Sequence, residues 1–144
     1  MALDPRYLKG VEHFNEGDYF DAHEIWEELW HEETGNARAF LQGLIQTATA
    51  LHHFRKGNLK GAKTLYESGT RLLNPYREVF WGFPVGKFLD ELAQCFQELL
   101  SFHMEDLPGR YDSRKNRFLV RLNENLIPKI KLLNEGSEKA NGAS

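Results

Sequence analysis

The sequence predicts an all-α protein: a compact bundle of about five helices built on two repeated helical hairpins. Apolar residues recur at helical intervals of three and four along most of the chain. Glycine next to Asp, Asn or Thr interrupts these stretches where helices stop and start. The chain also aligns with itself at an offset of 40 residues. Its 144 residues are enough for one domain.

The first predicted helix runs from about Arg6 to Glu16, because Pro5 suits a first helical turn and apolar residues follow at helical spacing. Gly17-Asp18 ends it and caps the next helix. The same stop-and-cap chemistry recurs twice more, and Asn74-Pro75 ends the fourth helix. The remaining predicted helices are Tyr19 to Glu33, Ala37 to Lys56, Leu59 to Leu73 and Val85 to His103.

These elements predict three parts of the chain. Residues 1–104 form the helical bundle, which includes an aromatic-rich connection from Pro75 to Pro84. Residues 105–133 form a C-terminal extension that packs on the bundle, and Pro128 interrupts its apolar spacing. Residues 134–144 contain no large apolar side chain and are expected to be disordered.

The internal repeat places Val11 to Asp18 over Leu51 to Asn58. Farther along, Ala22 matches Ala62, and Trp26 matches Tyr66. The turn followed by a small residue and an aromatic resembles the inter-helix turn of tetratricopeptide repeats. Two hairpins are too few for a solenoid with a long groove, so a compact bundle is expected.

Charge and composition exclude several classes of protein. One cysteine excludes a disulfide framework, and no segment has the length of a membrane span or the pattern of a signal peptide. We therefore expect a cytoplasmic protein with no membrane contact. The net charge of −3 hides an asymmetry: residues 1–34 carry ten acidic and two basic groups, whereas residues 107–133 carry seven basic and two acidic groups. Only two aromatic residues, Tyr111 and Phe118, lie in that basic segment, without the repeated interleaving that stacking platforms require, which argues against nucleic-acid binding.

His23 and Glu27 are the first candidate site residues. On a helical wheel they fall between the apolar arc and the polar side of the second helix, one turn apart. An imidazole beside a carboxylate in a partly apolar setting serves as a general base, a metal-ligand pair or a buried ion pair. In a catalytic role His23 would be the base and Glu27 would orient it.

The third predicted helix supplies the second candidate feature. It has no charged residue from Ala39 to Phe54, so we expect it to be covered on most sides. Gln42, Gln46 and His53 nevertheless form a polar stripe with Thr49. Buried polar groups need hydrogen-bond partners, and the expected partner is the His23/Glu27 side of the preceding helix.

Known catalytic motifs do not fit these residues. A zinc-protease helix needs a second His where this chain has Glu27. The Glu-x-x-His pair of di-iron bundles occurs once, at Glu28 and His31, and has no second copy.

The segment from Phe14 to Trp30, followed by Arg38 to Gln46 and His53, resembles the family known as domain of unknown function 309. The resemblance is close from about Tyr7 to Leu73. It implies an all-helical, soluble protein of bacterial or plastid type and implies no reaction. It adds Glu24 and Trp30 to the candidate ligand-binding residues, although the wheel leaves Glu24 facing solvent.

Two functions stay open from the sequence. One is a polar pocket between the second and third helices that binds a small molecule or a metal ion, with or without hydrolytic activity. The other is a protein-interaction or homo-oligomerisation module in which the same polar residues are structural. The sequence identifies neither a cofactor nor the metal, and it leaves open whether the protein is an enzyme.

Overall fold

The structure is a computed structural model that describes residues 2–107 and 120–133. Within these ranges the chain forms five α-helices and no β-strand, which confirms the all-α prediction. The helices are α1 (Pro5–Asn15), α2 (Tyr19–Trp30), α3 (Gly35–Lys56), α4 (Leu59–Leu73) and α5 (Val85–Leu100). The tail predicted to be disordered, residues 134–144, lies outside the described residues, as do residues 108–119, which are part of the basic segment.

Helix ends follow the predicted turns with small differences. α2 ends at Trp30 rather than Glu33, and α5 ends at Leu100 rather than His103. Beyond these ends the amides of Glu32, Glu33, Ser101 and Phe102 donate to carbonyls three residues back at 3.0–3.3 Å, a tighter turn that closes the helix. α3 begins at Gly35, whose φ of 62° turns the chain into the helix earlier than predicted.

The two turns of the internal repeat have the same backbone geometry. Gly17 and Gly57 both have φ of 85°, a left-handed conformation that glycine adopts without strain. The amides that follow, of Asp18 and Asn58, each donate to the carbonyl five residues back at 2.8 Å. This is the hydrogen bond of a Schellman helix end. The sequence repeat therefore corresponds to a repeated hairpin turn.

α3 is the central helix of the bundle. It packs against α2 on one side and α4 on the other, while α1 packs against α2. α5 covers the apolar side of this layer through aromatic contacts. The Phe88 ring lies 5.7 Å from the Phe14 ring, and the Phe96 ring lies 5.0 Å from Phe54 and 4.5 Å from Tyr66. These contacts cover the stretch of α3 without charged residues, from Ala39 to Phe54, as predicted.

Small residues allow the close helix contacts. Ala22 and Ala62, equivalent positions of the repeat, are fully buried. α3 and α4 approach through Gly43, where an added Cβ would lie 2.7 Å from Leu73 Cγ and 3.2 Å from the Gly69 carbonyl. Both distances are shorter than ordinary van der Waals contact, so only glycine fits there without repacking.

The aromatic connection before α5 closes one end of the bundle. The buried Phe40 ring of α3 lies 4.7–6.4 Å from four rings of this connection: Tyr76, Phe80, Trp81 and Phe83. The Tyr7 hydroxyl of α1 donates to the Trp81 carbonyl at 3.1 Å. The connection is therefore attached to both α1 and α3.

The described C-terminal segment, residues 120–133, returns to the bundle. It contains one 3-10 turn, Glu124–Leu126, and is otherwise irregular. Val120 and Ile130 are buried in the common core. The predicted boundaries of the C-terminal extension, residues 105 and 133, stay predictions.

None of the helices in the described part of the chain combines the length and the apolar character that a bilayer crossing requires.

Gly10→Ala tests the contact between α1 and α2. Trp26 is fully buried, and its Nε1–H donates to the Tyr7 carbonyl at 3.1 Å. A Cβ at position 10 would overlap the indole ring. We expect the free energy of unfolding to fall by about 1–3 kcal/mol in urea titrations, despite the better helix propensity of alanine. Lys9→Ala, at an exposed neighbouring position, should change it by less than about 0.5 kcal/mol. Equal stability of the two variants would contradict this view of the contact.

Candidate functional site

His23 and Glu27 lie one turn apart on α2, at its boundary with solvent. His23 is half-buried, and the Glu27 side chain is 50% exposed. The His23 Nε2 and Glu27 Oε2 atoms are 3.9 Å apart, too far for a hydrogen bond. The His23 Nδ1 atom is 3.4 Å from the Phe20 carbonyl oxygen. Because a carbonyl oxygen can only accept, this contact is a hydrogen bond when Nδ1 carries a proton.

The surroundings of His23 include two residues outside the predicted site, Phe20 and His52. The Phe20 ring is 50% exposed and lies 5.5 Å from the His23 ring and 5.8 Å from the His52 ring of α3. Burial, followed by positive charge on neighbouring groups, lowers the pKa of His52. The i,i+3 spacing of Phe20 and His23 was a local signal for the first contact. The approach of His52 depends on how α2 packs on α3.

Glu24 and Trp30 have different environments on α2. Glu24 is exposed, in agreement with the wheel. Trp30 is half-buried, and the Arg38 guanidinium carbon lies 3.7 Å from its ring centroid. This cation–π contact joins the end of α2 to α3.

The polar stripe of α3 makes its resolved contacts with α4 and the turn before it. The Ser68 hydroxyl of α4 donates a short hydrogen bond to the Gln46 side-chain oxygen. The His53 Nδ1 atom lies 3.3 Å from Asn58 Nδ2, in the turn before α4. Gln42 is half-buried on the same helix.

These contacts correct the predicted placement of the stripe against His23 and Glu27. α3 has a neighbour on each side, and a helical wheel cannot tell which neighbour a stripe meets. The glycine contacts between α3 and α4 bring Gln46 next to α4 instead. The ligand-binding role of Gln42, Gln46 and His53 stays a prediction.

A different group of side chains comes together at the turn between α1 and α2. His13, Glu16 and Asp18 each offer one ligand atom, and these atoms lie within 4.8 Å of one another. The His13 Nδ1 atom is buried without a hydrogen-bond partner and lies 4.0 Å from Asp18 Oδ2. The Asp18 carboxylate precedes α2 but makes no capping hydrogen bond to it. All three side chains can therefore turn toward one common point.

The equivalent turn of the second hairpin lacks this arrangement. Its corresponding residues are His53, Lys56 and Asn58. The Asn58 side-chain oxygen accepts from the Gly61 amide at 3.1 Å, and its nitrogen lies near His53. The same backbone therefore holds satisfied polar groups in one turn and potential metal ligands in the other. Within the repeat alignment, the change from Lys and Asn to Glu and Asp was the signal that could have identified this group.

Two larger grooves are lined by none of the residues of these two groups. One of about 420 Å³ runs beside the end of α3 and is lined in part by Phe54, Lys56 and Leu122. Another of about 410 Å³ lies between α4 and α5, beside Arg71 and Asp90. Neither groove is lined by His23 or Glu27, so these two grooves do not supply the predicted pocket.

Cys95 on α5 is buried, as expected for a small apolar side chain. Burial raises the pKa of its thiol to about 12. A thiol with such a pKa is protonated near neutral pH and is a poor nucleophile.

The two histidines near the end of α3 predict a pH-dependent stability. Burial lowers the pKa of His53, and it is the main cause of the lowered pKa of His52. Both histidines therefore have a lower pKa in the folded protein than the value of about 6.5 in the unfolded chain. Their contribution to stability is present above about pH 6.5 and is lost as the pH falls through the pKa of the folded state. We expect the thermal midpoint to fall between about pH 7.5 and pH 5.5, and to fall less in His53→Gln. His31→Gln, at an exposed position, should retain the wild-type dependence. A His53→Gln profile identical to wild type would contradict the assignment.

Comparisons with known proteins agree with the resemblance in the sequence. Residues 7–65 match the family model described as Domain of unknown function (DUF309). The uncharacterized protein YpuF of Bacillus subtilis (strain 168) is 34% identical over 85 residues, which are 57% of this chain and 49% of YpuF. An uncharacterized protein of Aquifex aeolicus (strain VF5) is 45% identical over 63 residues, 40% of this chain and 18% of that protein. The aligned part of this chain thus spans about half or less of each relative.

No solved structure matches the chain. The family match begins in α1, contains α2 and α3, and ends within α4. It includes the group around His13 as well as His23 and Glu27. The similarity to the DUF309 family therefore extends over residues 7–65, which are less than half of the chain.

Proposed function

We propose that the first hairpin binds a divalent transition-metal ion through His13, Glu16 and Asp18. One observation carries the proposal: three ligand atoms lie within 4.8 Å of one another around a buried His13 nitrogen that has no hydrogen-bond partner. A buried polar atom without a partner costs free energy, and a metal ion would supply that partner. The protein is then a metal-binding helical domain.

The donor set selects the class of metal. One imidazole nitrogen and two carboxylate oxygens suit Zn²⁺ and neighbouring first-row ions, and three protein ligands leave room for water. The group lies at the carboxyl end of α1, where the helix dipole favours a cation. Residues 1–34 also carry ten acidic against two basic groups. The local electrostatic environment therefore favours a positive ion.

Two basic side chains lie near this turn, and both bind main-chain oxygens. The Arg55 guanidinium donates to the Gly17 carbonyl at 2.7 Å, and the Lys129 ammonium donates to the Asn15 carbonyl at 2.6 Å. Neither of these hydrogen bonds uses the carboxylates of the proposed site.

His23 and Glu27 form the second candidate site. The contact of His23 Nδ1 with the Phe20 carbonyl favours this alternative, because a backbone acceptor commonly orients a metal-binding imidazole. Glu24 and Trp30 would flank such a site on α2. In its hydrolytic form His23 is the base and Glu27 orients it. This site offers two ligand atoms 3.9 Å apart, fewer than the turn between α1 and α2.

Calorimetric titration of the chelator-treated protein with Zn²⁺ tests the proposal, and Co²⁺ absorption reports the ligand geometry. We expect one metal ion per chain. His13→Ala and Asp18→Asn should each weaken binding by at least about tenfold, because the first removes a direct ligand and the second removes the negative charge of another. Absence of Zn²⁺ binding by the wild-type chain would contradict the proposal.

The second hairpin provides matched controls. His53→Ala removes the equivalent imidazole and should leave binding unchanged. Lys56→Glu combined with Asn58→Asp gives the second turn the same three ligand types and should add a second metal ion per chain. Loss of binding in His23→Ala, with His13→Ala unaffected, would move the site to His23 and Glu27.

A further inference from the structure

Residues 120–133 pass the end of the first hairpin as an irregular segment, with extended backbone at Asn123 and Ile127, which we call the strap. Asn15, the last residue of α1, makes two hydrogen bonds to the main chain of the strap. The Ile130 amide donates to Asn15 Oδ1 at 2.7 Å, and Asn15 Nδ2 donates to the Ile130 carbonyl at 2.9 Å. A neighbouring β-strand would make the same pair of hydrogen bonds. Asn15 therefore recognises extended backbone without regard to the side chain.

Side chains of the strap alternate around this contact. Ile130 is 2% exposed and enters the core, whereas Lys129 and Lys131 on either side are exposed. The Lys129 ammonium donates to the Asn15 carbonyl at 2.6 Å. Alternation of this kind is how an extended peptide presents one anchor to a groove and its neighbours to solvent.

A second contact lies at the other end of the strap. The Arg55 guanidinium of α3 donates to both Glu124 carboxylate oxygens, at 2.9 and 2.8 Å, and to the Gly17 carbonyl at 2.7 Å. Its guanidinium carbon lies 4.8 Å from the Tyr19 ring centroid. Two side chains beside the turn of the first hairpin therefore bind the strap. The Asn15 amide binds the main chain of Ile130, and the Arg55 guanidinium binds the Glu124 carboxylate.

The polar contacts that bind the strap to the bundle are expected to break easily. The Arg55–Glu124 pair is exposed, and exposed ion pairs add little stability. The strap contains no α-helix of its own, and its backbone is held by side chains and by single bonds such as Leu133 N–H to the Gly82 carbonyl at 2.7 Å. Val120 and Ile130 of the strap are buried in the core, so opening of the strap exposes both side chains. We expect this local opening to require less free energy than unfolding of the helical bundle.

We propose that the surface under the strap is a binding groove for an extended peptide of another protein, which the strap occupies in this structure. The peptide class has an apolar anchor in the place of Ile130, flanking lysines, and an acidic residue toward its amino-terminal side for Arg55. The strap acts as an intramolecular competitor for that peptide. The contacts that carry this inference do not involve His13, Glu16 or Asp18, although Glu16 lines the same small cleft as Glu124 and Lys129 of the strap.

The test uses the full chain and a fluorescent peptide with the sequence of residues 120–133. Ile130→Asp in the protein releases the anchor and leaves the groove intact. We expect this variant to bind the peptide at least about tenfold more tightly than the wild-type chain, in which the tethered strap competes. Leu126→Asp, at a strap position that is 44% exposed, should behave like wild type. The same peptide carrying Ile130→Asp should not bind.

Asn15→Ala in the released protein tests backbone recognition and should weaken peptide binding by about tenfold. A released, helical variant that binds no peptide would overturn the proposal. So would dimers that exchange straps between copies without binding peptide.

Hydrogen exchange of the wild-type chain covers the case in which Ile130→Asp fails to fold. The Ile130 and Leu133 amides should exchange faster than the amides of α3 by local opening. Protection equal to that of α3 would show that the strap is part of the cooperative core and would overturn the proposal.

Discussion

Burial of the Trp26 indole against α1 is the contact on which the rest of the molecule depends. Gly10 leaves the space for the ring, and the indole N–H donates to the Tyr7 carbonyl. Trp26 lies against Phe14, which meets Phe88 of α5, while Tyr7 meets Phe40 of α3. One side chain of α2 is therefore linked to α1 directly and to α3 and α5 through its neighbours. Its burial sets the rotation of α2 and places His23 and Glu27 at the edge of solvent.

The two turns of the internal repeat have the same backbone geometry but carry different polar side chains. Both Gly turns have the same φ and the same hydrogen bond across the helix end. In the second turn, Asn58 caps α4 and contacts His53. In the first, Asp18 does not cap α2, and the His13 nitrogen has no partner. A fold that needs only glycine at the turn leaves the neighbouring positions available for a binding site.

Parts of the candidate site could be predicted because they are local. The pairing of His23 with Glu27 and the exposure of Glu24 follow from helical geometry, which depends on the sequence of one helix. The partner of the Gln46 and His53 stripe could not be predicted in this way. Its choice between α2 and α4 depends on which small residues allow the closer approach. The group around His13 required both the turn geometry and the comparison with the second hairpin.

The amino-acid sequence alone was sufficient for the five helices, their glycine turns, the repeat and the burial of α3. Those features follow from periodicity and backbone preferences within a few residues. Three features needed the packed chain: the contact of the α3 stripe with α4, the placement of His52 beside Phe20, and the strap held by Asn15 and Arg55. Asn15 and Ile130 are 115 residues apart, and no local pattern encodes their contact. Periodicity defines the faces of a helix, whereas the neighbour of each face is selected by the packing of the whole chain.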